Sequence, residues 1–429
     1  MTKVMEKVKF QSFGKVALNK GNKKVKQKED DIEGTEKENA KQILQHQIEQ
    51  TDKELNKIKQ SSKGKVGQVY EIARTVRGGK GKGMKAVAII NPENGKLAVD
   101  REEIKNVSLK YCKTTLKNNP PHKNFRIGAE IKEELHRKRM TLGSGSFNVG
   151  KEELQKVITK FKSGNKKNYD YLVKAGTGFQ ENSLKLCQRM FREEKFPDKY
   201  KETTLHMLFK GGKGAKKEIL GNNRFIHTKL WEPRLAEALV VEGGLKEPLL
   251  LHSSRFQVGG QPGHCPQELL FAWKSVVARR MEQKLLTIGQ FYDLSKYFDK
   301  EVIADTMDVL ARRMVVPKAY RLWTKLNDTV IQVRTGAGCS ARADIGEVVG
   351  QGTIGGALVS QASLDDGILG QFEGSGGLAY GSMELLPFQF QDDFKNISST
   401  VLEARVANMK VDTMVKEKRW ILNQDKTVW

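Results

Sequence analysis

Two carboxylate positions stand out for the chemistry they could support. In FYDLSKYFDKE (291–301), Asp293 follows the apolar-leaning run LLTIGQFY. That pattern predicts a strand ending in a carboxylate, then a turn and a helix. Far downstream, LLPFQFQDDF (385–394) predicts a second apolar strand with Asp392 and Asp393 at its tip. A strand tip suits a hard divalent cation, because the strand fixes the oxygens and the turn exposes them. Two such ions need carboxylates from at least two chain segments, and paired ions serve phosphoryl transfer. An isolated Asp-Asp pair says little, since acidic turns are common. Asp365-Asp366 in SLDDGI is such a pair and is assigned no role. Asp293 has an alternative reading as a helix N-cap.

Other chemistries fall away. Three Gly/Lys-rich stretches, at 78–85, 210–217 and 349–356, invite a phosphate-loop reading. None places Lys-Ser or Lys-Thr after the required glycine, which excludes that motif. The seven histidines show no triad or zinc spacing. Cys112, Cys187, Cys265 and Cys339 fit no CxxC or Cys/His metal pattern. They are also too few for a secreted disulfide scaffold, so we read them as reduced thiols of an intracellular protein, nuclear or cytoplasmic.

The elements around these residues are legible in outline. Residues 1–28 hold nine lysines and one glutamate and read as a basic arm. Leu44, Ile48, Thr51, Leu55 and Ile58 then fall at helical spacing. That stripe fits one amphipathic helix packed on its own protein, or a short coiled coil. A Gly/Lys-rich loop over 63–85 precedes a strand at 86–90 and an Asn94-Gly95 turn. Residues 101–118 read as a helix stopped by Pro120-Pro121, and 151–163 and 181–194 as further helices. From about 218 helices alternate with short strands. The glycines of 335–383 permit the close backbone approach expected around a substrate site.

Charge separates the two ends of the chain. The 429 residues carry a formal net charge of +24. Residues 1–250 hold 54 of the 75 Lys+Arg and 31 of the 51 Asp+Glu, a net of +23, which leaves +1 for 251–429. Such an excess attracts polyanions, nucleic acid foremost. No run approaches the roughly 20 apolar residues of a membrane span, and MTKVMEKVKF lacks the apolar core of a signal peptide.

The order of these motifs resembles a known family. FYDLSKYFD, then GEVVGQGTIGGALVSQ (346–361), then PFQFQDDF is similar to the A, B and C motifs of reverse transcriptases, in the variety encoded by LINE-type (non-LTR) retrotransposons. HMLFKGGKGAKKEILGNNRFI (206–226) resembles that family's stretch in which a lysine near a strand end precedes an Asn-x-Arg segment. WEPRLAEAL (231–239) resembles the helix that follows it. RFQVGGQPGHCPQELLFAWKSVV (255–277) is similar to the glutamine-rich segment before motif A, and RWILNQDKTVW (419–429) to the motif D region with its lysine. The resemblance covers about 190–429. Residues 63–189 resemble the family's basic connector in texture only.

The resemblance implies roles. Asp293 and Asp392 would ligate two Mg²⁺ ions, with Mn²⁺ as an alternative occupant, and Asp393 would assist or orient. Phe298 would crowd a ribose 2′-hydroxyl, or else be plain core. Gln351 and Gly352 would line the template–nucleotide pocket, although Gln351 could simply shape the turn. Lys210 and Arg224 would hold the triphosphate. Arg224 could instead form only a salt bridge, and Lys210 is one of several neighbouring lysines. Lys426 would act late in the active site. Gln391, between Phe390 and Asp392, departs from the more usual alanine.

The expected architecture is α+β: polymerase fingers and palm, an antiparallel sheet backed by helices, with a basic, largely helical or disordered N-terminal extension. Its parts are a basic arm and amphipathic helix (1–62), a basic connector with helices (63–189) and the fingers–palm (190–429). The resemblance stops before a primer grip and thumb, so we expect a fragment with low processivity. The expected activity is RNA-directed DNA polymerisation, with RNA template, DNA primer and deoxynucleoside triphosphates as partners and no membrane. The alternatives are a catalytically inactive nucleic-acid-binding relic of the same fold, and a basic scaffold joined through the 29–62 helix.

Overall fold

The computed structural model describes residues 88–428 apart from 118, 142–146, 164–171, 173, 175, 212–214, 262, 375–377 and 381–382. The basic arm, the 29–62 helix and the 63–85 loop lie outside the described residues. The described residues begin with a small hairpin, β1 (Ile89–Ile90) and β2 (Leu97–Ala98). Helices follow among the described residues: α1 (Arg101–Leu116), α2 (Arg126–Thr141), α3 (Lys151–Ser163) and α4 (Thr177–Glu193). Then come β3 (Glu202–Phe209), β4 (Asn223–Thr228), α5 (Trp231–Val240), α6 (Lys246–Leu251) and α7 (Pro266–Glu282). β5 (Ile288–Asp293), α8 (Ile303–Arg312), α9 (Pro317–Leu326), β6 (Asp328–Thr335), β7 (Gly338–Cys339), β8 (Ala343–Glu347) and α10 (Gly356–Phe372) continue the chain. It closes with β9 (Leu378–Tyr380), β10 (Met383–Leu385), β11 (Phe388–Phe390), β12 (Asp393–Ser398) and α11 (Val401–Glu417).

Local chemistry explains several boundaries. The Asp100 carboxylate caps α1 by accepting the N–H groups of Glu102 and Glu103 at 2.8 and 3.1 Å. Pro266 and Pro317 open α7 and α9, where a missing N–H costs nothing. β6 alternates, burying Thr329, Ile331, Val333 and Thr335 and presenting its other residues outward.

The fold is α+β. One sheet has three antiparallel strands in the order β11-β12-β5. The second has five strands, β4-β3-β6-β7 with β8 also on β6. All its pairs are antiparallel except β3 with β6, where Leu205 sits opposite Val333 in a parallel register. The sequence predicted helices alternating with short strands from about 218, without the partners of those strands. This second sheet was hidden because its central pair joins segments far apart in the chain, and nothing local signals such a partner.

Three cores hold the layers together. A helical core unites α3, α4, α5 and α9 around Leu239, Leu322 and Trp323. A second lies under the three-stranded sheet, where Tyr292 and Phe394 stack at 4.8 Å beside Leu364, Ile368 and Val411. The third packs α1, through Ile104, Cys112 and Leu116, on Leu205, Ile331 and Val333 of the larger sheet. All four cysteines are free. Among the described residues no helix is long and apolar enough to cross a membrane.

Candidate active site

The three-stranded sheet brings the carboxylates together. β5 ends at Asp293, and β12 begins at Asp393 directly opposite it in the antiparallel register. Residues paired in this way stand on one face of the ladder. Gln391 and Asp392 form the turn between β11 and β12, and Gln391 takes a left-handed backbone, φ +57°. The opposite face of the sheet is buried. There Gln290 donates to the Ala404 carbonyl and accepts from Asn396 and Ser398, all at 2.8–2.9 Å, which seats the strands on α11.

Asp365, left without a role by its sequence context, anchors the same hairpin from below. It is buried, pairs with Arg313 at 2.7 Å, and accepts from the Ser254 N–H at 2.9 Å and the Gln389 amide at 3.2 Å. Residues 256–258 run alongside β11, joined by Gln389 N–H to Phe256 O at 2.8 Å and Val258 N–H to Gln389 O at 3.2 Å.

The charges of the three aspartates act on one another. Burial raises the Asp392 carboxyl above its ordinary range. A hydrogen bond to its own backbone opposes this, Asp293 adds to it, and Arg224 and Lys426 pull it back. Asp393 is raised as well, by desolvation and then by Asp392 and Asp293. Lys426 lies 3.5 Å from Oδ1 of Asp293.

A basic arc faces this cluster. Arg224 projects from β4 and Lys210 follows β3, with the Lys210 ammonium donating to the Gly221 carbonyl at 3.2 Å. Desolvation and the charges of Lys296 and Arg224 lower the Lys210 pKa, with Lys426 acting in the same direction. Lys296 is held from α1: it donates to the Tyr111 hydroxyl at 2.7 Å and sits 4.7 Å from that ring's centre. Asp299 lies among Lys296, Lys210 and Lys300, and burial lifts its carboxyl to about 6.

The remaining predicted residues join less directly. Phe298 starts a short 3₁₀ turn after Asp293, packs against the core under the sheet and meets Tyr297 edge-on at 5.8 Å. Gln351 and Gly352 are tied to β4 and not to the carboxylates: the Gln351 carbonyl accepts the His227 N–H at 2.8 Å. Gly352 has φ +99°, and a Cβ there would come within 2.8 Å of Ile226 Cγ2.

Four participants escaped the sequence reading: Tyr111, Lys296, Asp299 and Asn423. Asn423 donates its side-chain amide to Asp293 Oδ2 at 2.8 Å. It arrives because 421–428 lies along the free edge of β5, with Phe291 and Val428 exchanging both backbone bonds at 2.8 and 3.1 Å. Only that long-range pairing reveals it.

Among the described residues no three His, Cys, Asp or Glu side chains form a ready-made metal cage. Mg²⁺ does not require one, since one or two carboxylates with substrate phosphates and water complete its shell. The donor set fits such an ion: hard oxygens, mutually repelling and only partly neutralised.

No protein-family model matches this sequence, and no curated protein sequence matches it. Among solved structures the chain is similar to telomerase from Candida tropicalis in complex with a TWJ fragment of telomeric RNA. The TM-score is 0.39 and the identity 11%; the likeness covers 58% of this chain and 44% of that one, less than half of its length.

Proposed function

We propose that this chain is an RNA-directed DNA polymerase domain of the LINE-type retrotransposon kind, adding deoxynucleotides to a primer 3′-hydroxyl on an RNA template. The observation that carries this reading is electrostatic. Burial, and after it the repulsion of neighbouring carboxylates, raises the Asp392 and Asp393 carboxyls, while burial, and after it Lys296 and Arg224, lowers the Lys210 ammonium. The first is short of positive charge and the second of negative charge. A divalent-metal complex of a nucleoside triphosphate supplies both at once.

In this reading Asp293, Asp392 and Asp393 hold two Mg²⁺ ions, with Mn²⁺ able to replace them. When bound, the ions supply Lewis-acid stabilisation of the attacking and leaving oxygens. Arg224 and Lys210 grip the triphosphate from the β3–β4 side and align its α-phosphorus with the primer oxygen. Phe298 limits room at the ribose. The Gln351–Gly352 loop, braced on β4, forms the wall where the templated base pair sits. Lys426 acts late, neutralising charge on the departing pyrophosphate. The basic first part of the chain tracks the nucleic-acid backbone.

Single-nucleotide incorporation on a DNA-primed RNA template with Mg²⁺ tests the reading. The wild-type chain extends the primer and Asp392→Asn loses at least about 100-fold in rate, as expected when a group acting in the transition state is removed. Equal, background-level signals from both would reject the polymerase and leave a nucleic-acid-binding relic.

A further inference from the structure

The C-terminal segment touches Asp293 through two side chains of different character. Asn423 is half-buried and anchored. Its backbone N–H donates to the Asp293 carbonyl at 2.8 Å, and its side-chain amide donates to Oδ2 at 2.8 Å. Its own carbonyl accepts the Thr427 N–H at 2.9 Å, which closes a turn. The Ser295 N–H to Ile421 O bond at 2.7 Å and the Phe291–Val428 pair hold the segment on either side. Lys426 reaches the other oxygen, Oδ1, at 3.5 Å, from a side chain that is 67% exposed.

Between them the two residues cover both oxygens of Asp293, and only one can yield. Lys426 is a long, solvated point charge at loose distance, and a cation competes with it for the same charge. Asn423 is neutral and short, and repels no cation. A donor fixed by its own backbone restricts the carboxylate to one orientation. Such outer partners of metal-binding groups strongly influence affinity.

Building on the metal-site reading above, we propose that Asn423 is a positioning residue that presents Oδ1 of Asp293 to a divalent cation, and that Lys426 is the exchangeable counter-ion the cation displaces. The segment 421–428 is then part of the metal site.

The two roles predict shifts of opposite sign, which general damage to the segment cannot produce. Mn²⁺ is titrated calorimetrically into the full chain without nucleotide, and the component abolished by Asp293→Asn is followed. Asn423→Leu, of matching size but without a donor, weakens that component about 10-fold or more. Asn423→Ser, which keeps a short donor, recovers part of the loss. Lys426→Ala tightens binding about 3-fold, by removing a like charge from the cation's neighbourhood. Melting curves identify any variant that fails to fold, and the Ser and Ala variants then carry the test.

Unchanged Mn²⁺ binding in Asn423→Leu, or weakening in both Asn423→Leu and Lys426→Ala, overturns the inference alone. A wild-type chain with no Asp293-dependent Mn²⁺ binding overturns the metal-site reading, and the inference with it.

Discussion

Arg224 and Glu301 show how differently a single charge behaves on the surface and in the core. Arg224 stands exposed on β4, yet its charge reaches Asp392. In the proposed reading it meets a triphosphate already in the ground state. Arg224→Ala therefore raises KM for the nucleotide about 10-fold and changes kcat much less, which steady-state kinetics checks. Glu301 is buried, and burial lifts its carboxyl from 4.5 to about 7. The fold thus favours the protonated form. Its contribution is fully present below the unfolded value and is lost as pH rises through about 7. Glu301→Gln removes that loss. At pH 8 the variant is more stable by on the order of 3 kcal/mol, and the gain shrinks toward pH 5. Urea unfolding at the two pH values checks it.

At the scale of elements, the geometry rests on the β11–β12 hairpin, the edge of β5 and the loop before α10. The loop fits β4 closely: a Cβ on Gly350 would come within 2.5 Å of the buried His227 ring, and Gly352 has positive φ. Gly352→Ala costs about 2 kcal/mol of stability through backbone strain alone. It also shifts Gln351, so KM for the nucleotide rises in parallel, as melting and kinetics together would show. The strand ends at Asp293 and at Asp392-Asp393 were legible because apolar runs meet carboxylates there. The helix over 101–116 was legible from its proline stop. The parallel pairing of β3 with β6, the clamp of Tyr111 on Lys296 and the contact of Asn423 with Asp293 were not. Each depends on residues that meet only after the chain has folded, and neither periodicity nor spacing carries such partners.

Across the whole molecule the two kinds of charge are divided. The net +23 of residues 1–250 contrasts with the near-neutral remainder, which contributes all three site aspartates. In the proposed reading nucleic-acid affinity comes mainly from phosphate contacts. The logarithm of the binding constant falls linearly with the logarithm of salt concentration, with a slope of magnitude about 4 or more. A flat response in a salt titration would point to binding without the basic surface, as in a scaffold protein. The joining of a basic surface to an acidic, cation-seeking cleft is the central claim, and diffraction tests it most directly. In crystals of the full chain with Mn²⁺ and a nucleoside triphosphate, the account predicts two anomalous peaks about 3.5–4 Å apart between Asp293 and Asp392. Peaks that avoid these two side chains, or a nucleotide seated away from Arg224, would contradict it.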